Sequence, residues 1–435
     1  MHARQQRSRI PMLFVSVCLA VVLAGCASRP SQHASHELDY RSRAESSTHG
    51  AVRVSASVLS ADESREVYGV DLARRGIQPV WIEVENHEER AYWLMFTGLD
   101  PNFFPPTEAA DVFASPGQQE SLEQTFRKLA FRNPVPAGGK ASGFVLSNLD
   151  EGLKMVHVDL VASGQLRAFS FLVTVPGFRA DYQARKVFEQ DFYRPEDIVD
   201  YTDAEAFRRA LEQLPCCVSN RKGTRNGDPL NLVIVGNLED VAAALVRRGW
   251  RPTEETWSGA VMKMVKSALA KQPYLYAPVS PLYLYDRPQD MALQRARDNI
   301  HQRNHLRLWL SPIHYRGKQV WVGQISRDIG SRLTIHSPYL TTHKIDPDVD
   351  EARTALTEDM AYSQNLAAIG FVAGVGEASS EAPRENLTRD PYYTDGVRVV
   401  LFFDDQPRSL TEIEFLQWEA HTGGFVEQFR QRGQQ

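Results

Sequence analysis

Residues 230–237, Leu-Asn-Leu-Val-Ile-Val-Gly-Asn, form the clearest structural signal in the sequence. The first six are nearly all apolar, which is typical of a strand buried on both faces. Gly236 then turns the chain, and Asn237 can cap a helix that ends at Gly249. This unit contains neither a GxGxxG nor a GxxxxGKS/T pattern, so the sequence gives no support to nucleotide binding.

Further along the chain, the pattern predicts a pair of antiparallel strands. His305, Arg307 and Trp309 alternate with three leucines. The leucines should face a core, and the His-Arg-Trp side should face outward or into a cleft. Residues 315–318, Tyr-Arg-Gly-Lys, predict a hairpin turn, and residues 321–326 predict the returning strand.

Three helices are predicted around these strands. Amphipathic spacing indicates helices over residues 257–269 and from about Gln289 to Ile300. The third follows residue 345, with Asp346 as its N-cap and Pro347 in its first position.

The end of this region predicts two strands, residues 366–375 and 397–403. The polar loop between them, residues 376–395, is long enough that it should be functional or disordered. Together these elements predict an α+β domain with α/β-like character over residues 181–430.

Residues 51–180 show a different pattern, an alternation of apolar and polar residues with period two. It predicts strands around residues 80–84, 156–160 and 169–175, separated by turn-forming residues. We therefore predict an antiparallel β-sandwich, interrupted over residues 105–130 by helical spacing. His87 and His157 are interpreted as solvated strand or turn residues. The predicted fold class is thus mixed, a β-sandwich followed by an α+β domain.

The N-terminus resembles the export signal of a bacterial lipoprotein. Three arginines precede the apolar run Ile10–Ala24, which is short for a membrane span. The run ends in Leu-Ala-Gly-Cys at residues 23–26, a match to the lipobox that directs lipidation of the cysteine. We expect residues 1–25 to be removed and Cys26 to carry diacylglycerol and an acyl chain such as palmitate. An ordinary signal peptide or a single anchor helix remains the alternative.

The residues after Cys26 bear on location. Ala27 and Ser28 include no aspartate, so we expect sorting to the outer membrane, with the protein facing the periplasm. Residues 26–50 are polar and predict a lipidated tether with an r.m.s. reach of roughly 27 Å. The net charge of −5 gives no support to nucleic-acid binding.

Two further cysteines, Cys216 and Cys217, are adjacent in sequence. Neighbouring cysteines rarely form a disulfide because the small ring strains the backbone. We interpret them foremost as small buried residues; a strained vicinal disulfide and a metal or redox role remain alternatives.

Several segments of the second region together resemble the LssY C-terminal domain family, over residues of about 190–405. These segments are 227–236, 249–250, 287–290, 303–309 and 343–347. The resemblance implies a bacterial envelope setting, and the domain is sometimes fused to a membrane domain like the type 2 phosphatidic acid phosphatases. The activity of the family's own domain is unassigned, so the resemblance implies no catalytic residue.

Polar residues in three short segments, 286–290, 305–307 and 343–346, form the candidate site. If the strand and loop ends converge, they would line one cleft. Arginine there could bind phosphate or carboxylate, and histidine with aspartate could transfer protons. The candidates are Asp286, Arg287, Asp290, His305, Arg307, His343 and Asp346.

A metal at this site has weaker support. His301 and His305 have the i, i+4 spacing that suits zinc, but the strand begins near His305 and no HExxH pattern occurs. No GxSxG pattern occurs either, which gives little support to a serine hydrolase. We therefore expect no metal and no cofactor.

Two functions follow from these observations. The first is an envelope lipoprotein that acts as a binding or scaffold protein, held on the membrane by its N-terminal lipid, with an acidic lipid or glycan as ligand. The alternative is a metal-independent hydrolase acting on an acidic or phosphorylated envelope lipid or glycan.

Overall fold

The computed structural model describes residues 40–114, 117, 119–150, 153–175, 192–253, 279–296, 303–333 and 341–418. They form a mixed, strand-rich fold with several sheets. Arg43–Gln435 make up one compact unit and Met1–Ser42 another. The predicted signal, lipobox and helix 257–269 lie outside the described residues. None of the helices in the described residues has the length and apolar character required of a membrane-spanning segment.

The first region contains seven strands in two antiparallel sheets. The strands are β1 Glu45–His49, β2 Val52–Val58, β3 Ile77–Asn86, β4 Trp93–Leu94, β5 Lys140–Asn148, β6 Leu153–Ala162 and β7 Gln165–Thr174. One sheet has the order β1-β2-β3-β5 and the other β4-β6-β7. The three strands predicted here are confirmed as parts of β3, β6 and β7.

Four helices accompany these sheets. They are α1 Ala61–Tyr68, α2 Phe96–Leu99, α3 Pro106–Asp111 and α4 Gln119–Leu129. The helical spacing predicted over residues 105–130 is confirmed by α3 and α4, and Phe126 of α4 is buried. Strand β1 begins inside the predicted tether; its five side chains are all exposed, so it carries no apolar alternation that could have revealed it.

Both sheets of the first region contribute to one apolar core. Val54 of β2 and Ile82 of β3 pack in the same cluster as Val158 of β6 and Phe171 of β7. Burial of these side chains drives the two sheets together, since each loses water from its apolar side.

The second region is built on a ten-stranded sheet. Its strands include β8 Val199–Tyr201, β11 Leu232–Val235, β12 Arg251–Pro252, β15 Met291–Ala296, β16 Arg303–Tyr315, β17 Lys318–Leu333, β18 Thr341–Ile345, β19 Leu366–Ala373, β22 Val397–Phe403 and β23 Glu414–Phe415. The main path is β12-β15-β16-β17-β11-β22-β19-β23, with β18 pairing with β17 and β8 pairing with β16.

The described residues of the second region also contain short strands and three helices. The short strands are β9 Cys217–Ser219, β10 Asn226–Pro229, β13 Tyr283–Leu284, β14 Arg287–Pro288, β20 Arg384–Glu385 and β21 Pro391–Tyr392. The helices are α5 Ala204–Glu212, α6 Leu238–Arg247 and α7 Val349–Ala361.

The apolar run at residues 230–235 contributes strand β11, which lies between β17 and β22 in this sheet. Strand β11 is antiparallel to β17 and parallel to β22, and all four of its residues are buried. Leu232 and Ile234 pack into a core with α6 and α7, while Val233 and Val235 pack into a second core with α5. The predicted buried strand and the helix that follows it are therefore confirmed. Asn237 occupies the N-cap position, but its side chain makes no capping hydrogen bond.

Two predicted helical features are wrong. Residues 291–296 form strand β15, not part of a helix, because both sides of this segment are buried and it pairs with β16. Buried residues on both sides of a strand can mimic helical spacing. Helix α7 begins at Val349 with Asp348 as its N-cap, so Asp346 is not the cap.

The strands predicted at 366–375 and 397–403 are confirmed as β19 and β22. The long loop between them is folded and contains the hairpin β20–β21. Cys216 and Cys217 form a vicinal disulfide, which was the alternative to their interpretation as two small buried residues; Cys217 is buried and Cys216 half-buried. His87 is exposed as predicted, but His157 is buried against α6, which corrects its interpretation as solvated.

Candidate functional site

Strands β15, β16 and β17 place a row of polar side chains on one side of the large sheet. In the antiparallel register Arg303 lies opposite Asp328, His305 opposite Ser326 and Arg307 opposite Gln324. Facing residues in such a pair project from the same side of a sheet. We call this set the polar face, and it comprises Gln294, Arg303, His305, Arg307, Gln324, Ser326 and Asp328.

All seven side chains of the polar face are buried, with Arg303 1% and Arg307 9% exposed. The opposite side of the same strands carries Leu306, Leu308 and Ile325, which pack into the core with α6 and α7. The predicted inward-facing leucines are therefore confirmed. The His-Arg-Trp side is buried as well, and Trp309 lies in the core with α5. The hairpin at Arg316 and Gly317 is confirmed, with φ of 51° and 77°.

His305 and Asp328 form the closest polar contact of the site, with His305 Nε2 2.6 Å from Asp328 Oδ2. Burial lowers the pKa of His305, and the carboxylate of Asp328 opposes that effect without overcoming it. The neighbouring Arg303 and Arg307 lower the pKa further. His305 is therefore neutral near pH 7, and donation of its Nε2 hydrogen to Asp328 makes Nδ1 the acceptor nitrogen.

The two arginines lie on either side of His305 along β16. Arg303 Nη1 donates to Gln294 Oε1 over 3.0 Å, and Arg307 Nη1 donates to Gln324 Oε1 over 2.8 Å. Arg307 Nη2 also donates to the carbonyl oxygen of Ser280 over 3.3 Å. The glutamine oxygens hold each guanidinium plane in a fixed direction, which is what bidentate recognition of an anion requires.

The long loop between β19 and β22 reaches the site through Asp228. Asn386 Nδ2 donates to Asp228 Oδ1 over 3.2 Å, and Asn386 lies beside the hairpin β20–β21. Burial raises the pKa of Asp228, while the charge of Arg307 acts in the opposite direction and that of Asp390 adds to the increase. Asp228 therefore takes up a proton more readily than an ordinary carboxyl group.

Arg287 and Asp290 form a separate pair. Arg287 Nε and Nη2 each donate to one Asp290 oxygen over 2.9 Å. Arg287 also stacks on the ring of Phe192, 4.4 Å from its centroid, and donates to the hydroxyl of Tyr193. Asp290 accepts from the backbone nitrogen of Leu310, which lies about 16 Å along β16 from His305. The Arg287–Asp290 pair therefore holds the segment between β14 and β15 against strand β16.

The three remaining candidates lie elsewhere. Asp286 is exposed in the turn between β13 and β14. Asp346 lies 3.8 Å from Arg327, whose side chain leaves β17 on the side opposite Asp328. His343 lies on β18 opposite Ser331, and its side chain is outside the described residues. Thus His305 and Arg307 share a face, but the described candidate side chains do not meet in one cleft.

The sequence prediction missed most members of the polar face. Gln324, Ser326 and Asp328 alternate on β17, and pairing this strand with the predicted hairpin would have revealed them. Arg303 precedes His305 by two residues and could have been found in the same way. Asp228 and Asn386 are 158 residues apart in the chain and carry no local signal of their contact.

In the described part of the chain, no three His, Cys, Asp or Glu side chains gather closely enough to hold a metal ion. Two guanidinium groups can bind an anion, and the neutral His305 held by Asp328 can accept a proton.

Residues 208–397 match the family model described as LssY C-terminus. The resemblance predicted from the sequence is thereby confirmed over these residues, which contain the whole polar face. No curated protein matches the chain.

Proposed function

We propose, taking the LssY C-terminus match as the premise, that this protein is a lipid-anchored envelope protein whose polar face binds an acidic ligand. The ligand class is a lipid headgroup or glycan that carries phosphate or carboxylate. The protein would face the periplasm from the outer membrane, held by the lipid on Cys26.

One observation carries the binding proposal: Arg303, His305 and Arg307 project from the same side of one strand and are all buried. Keeping two guanidinium groups away from water costs several kcal/mol unless anions or oriented dipoles surround them. Gln294 and Gln324 supply such dipoles, and an anionic ligand would add the charge-assisted hydrogen bonds that arginine favours.

We also propose a two-domain organisation for the protein. A β-sandwich domain over residues 51–180 is followed by an α+β domain over residues 181–430. The common core of the two sheets in the first region supports the sandwich. The first region also packs on the second, since Met155 of β6 lies in the same core as α6. This packing would hold the polar face at a fixed orientation to the sandwich.

The contact between His305 and Asp328 favours a second candidate function, the metal-independent hydrolase. A neutral imidazole oriented by a carboxylate is the arrangement used for general base catalysis. In this alternative Arg303 and Arg307 would hold the phosphate of the substrate while His305 takes a proton from water.

Calorimetric titration of the full chain with dihexanoyl phosphatidic acid tests the binding proposal, with dihexanoyl phosphatidylcholine as the zwitterionic control. We expect only the acidic lipid to bind. Arg307→Met should weaken binding about tenfold or more because a charge-assisted hydrogen bond is lost. The matched control is Arg209→Met, an exposed arginine of α5 that pairs with Glu205.

The outcomes separate the candidates. Equal binding by the parent and Arg307→Met, or no binding at all, would contradict the proposal. Release of inorganic phosphate from the same lipid, lost in His305→Gln, would favour the hydrolase. A bound lipid recovered unchanged supports the binding protein.

Lipidation is tested separately by growing cells that express the full chain with radioactive palmitate. We expect label on the parent and none on Cys26→Ser. An unlabelled parent would contradict the anchor without affecting the binding proposal.

A further inference from the structure

An exposed apolar patch lies on β4, on the first region. Along residues 91–95 the buried Tyr92 and Leu94 alternate with the exposed Ala91, Trp93 and Met95. Val161 of β6 lies opposite Trp93 in the antiparallel register and extends this apolar surface. Trp93 is 55% exposed, Met95 40% and Val161 38%. We call Ala91, Trp93, Met95 and Val161 the Trp93 patch.

We propose that the Trp93 patch docks on an anionic lipid bilayer, the membrane that carries the proposed anchor. This inference rests on the proposed lipidation of Cys26 and is independent of the ligand of the polar face. Tryptophan is the side chain most favoured at membrane interfaces, where its apolar ring and its N–H group are both accommodated.

The backbone around the patch argues against pairing with a strand of another chain. Tyr92 exchanges two backbone hydrogen bonds with Val135, and the side-chain amide of Asn133 binds both the N–H and the carbonyl group of Leu94. The free side of β4 therefore offers no row of unpaired backbone groups for strand addition. The surface that remains for a partner consists of apolar side chains, which suits a lipid phase.

Charge beside the patch favours an anionic surface. Arg90 adjoins Ala91 in sequence, and Arg132 adjoins Asn133, whose side chain holds Leu94. Both arginine residues are exposed. The acids of this turn are the exposed Glu89 and Glu88, which is bound by Arg167 over 2.9 Å and lies 4.0 Å from Arg90. Arg90, Arg132 and Arg167 outnumber these two acids. Basic residues near an acidic bilayer strengthen binding, and the net charge of −5 means that such attraction has to be local.

The proposed tether would allow even a small apolar patch to dock on the membrane. Sixteen residues lie between Cys26, the proposed lipidation site, and Arg43, so a flexible tether such as the sequence predicts would have an r.m.s. span of about 22 Å. A tether of this length would keep the patch near the bilayer at an effective concentration on the order of millimolar. Weak docking by three apolar side chains is then populated.

The test uses the full chain, purified from cells grown with radioactive palmitate and reconstituted into vesicles of phosphatidylglycerol and phosphatidylcholine. The vesicles contain a lipid with a doxyl quencher near its headgroup. Subtracting the fluorescence of Trp93→Phe from that of the parent isolates the signal of Trp93. We expect this signal to be quenched in the mixed vesicles and much less in vesicles of phosphatidylcholine alone.

Variants show whether the patch itself is responsible. Met95→Ser should reduce the quenching of Trp93, and Arg132→Gln should lower the ratio of docked to undocked protein about fivefold. The control is Leu410→Ser, a change at a residue of the second region that is 49% exposed. It should leave the quenching unchanged.

The two proposals fail in different ways. A palmitate-labelled chain that floats with vesicles but shows no quenching of Trp93 overturns the docking and leaves the anchor standing. A chain without label contradicts the anchor. A chain that sediments as a dimer without lipid, with Trp93 shielded from iodide, makes the patch a contact between two copies and also overturns the docking.

Discussion

Replacing Arg247 with methionine should remove a contact that joins the two regions. Arg247 lies at the end of α6, and its Nε and Nη2 donate to the two carboxylate oxygens of Asp159 over 3.0 and 2.6 Å. Nη2 also lies 3.0 Å from His157 Nε2, and Nη1 donates to the carbonyl oxygen of Ser363 over 2.9 Å. Asp159 and His157 belong to β6 and are both buried.

The size of the effect follows from that burial. Removing one partner of a buried ion pair costs about 3–5 kcal/mol when the other charge is left without compensation. In Arg247→Met the carboxylate of Asp159 keeps its contact with His157 Nε2 over 3.0 Å, so we expect the lower end of this range. Arg209→Met should cost about 0–1 kcal/mol, because its ion pair with Glu205 is exposed. The double variant Asp159→Asn, Arg247→Met should cost less than the sum of its single changes, since no unpaired charge remains.

The same contact predicts a dependence on pH. Burial alone would raise the pKa of Asp159, but His157 and Arg247 outweigh it and hold that pKa below its ordinary value of 3.8. The carboxylate therefore stabilises the folded state fully above about pH 5, and this contribution is lost as the pH falls below 4. The Asp159→Asn variant should lose less stability across this acid range than the parent does.

Urea denaturation followed by circular dichroism measures these free energies of unfolding. A free energy of unfolding of Arg247→Met within 1 kcal/mol of that of the parent would contradict a stabilising role of this ion pair. A double variant whose loss of stability equals the full sum of the single changes would contradict it as well.

Three further changes test other parts of the fold by the same measurement. Gly143→Ala should destabilise the protein by about 1–3 kcal/mol, since the new Cβ would lie 2.5 Å from the backbone nitrogen of Phe131; a neutral effect would contradict this packing. Arg398→Met should cost at least about 3 kcal/mol, because the buried guanidinium donates to backbone carbonyl groups that include those of Leu211 and Leu230, which would lose their donor. Burial raises the pKa of Asp240 to about 6, so its contribution to stability is present below about pH 4 and lost as the pH rises through 6. Asp240→Asn should therefore be more stable than the parent at pH 8, by on the order of 1 kcal/mol because partial exposure screens the effect, and should show no such gain at pH 4.

Much of the local structure could be predicted because it depends on neighbouring residues. The hairpin β16–β17 follows from the leucines that alternate with His305 and Arg307, and strand β11 follows from its continuous apolar run. Strand β15 was mistaken for a helix because both of its sides are buried, so it lacks the two-residue alternation of a half-exposed strand. Strand β1 has no buried side chain; besides its backbone pairing with β2 it has a hydroxyl contact between Ser46 and Ser55 and a ring contact between His49 and Phe169.

The tertiary contacts could not be predicted in the same way. The burial of His157 depends on Arg247, which lies 90 residues later and reaches it only after the two regions pack together. The pairing of His305 with Asp328 needed only the register of one hairpin and was within reach of the sequence. Whether a contact can be predicted therefore depends on the separation of its residues in the chain more than on their type. Local periodicity carries no information about which distant elements pack together.

Hydrogen exchange of the full chain, with and without dihexanoyl phosphatidic acid, tests most directly whether the polar face is a binding site. If the lipid binds to the polar face, the backbone amides of β16 and β17 should exchange more slowly when the lipid is present, and those of β2 and β3 should be unchanged. Protection confined to the first region, or no change at residues 303–328 under conditions in which the lipid binds, would contradict binding at the polar face.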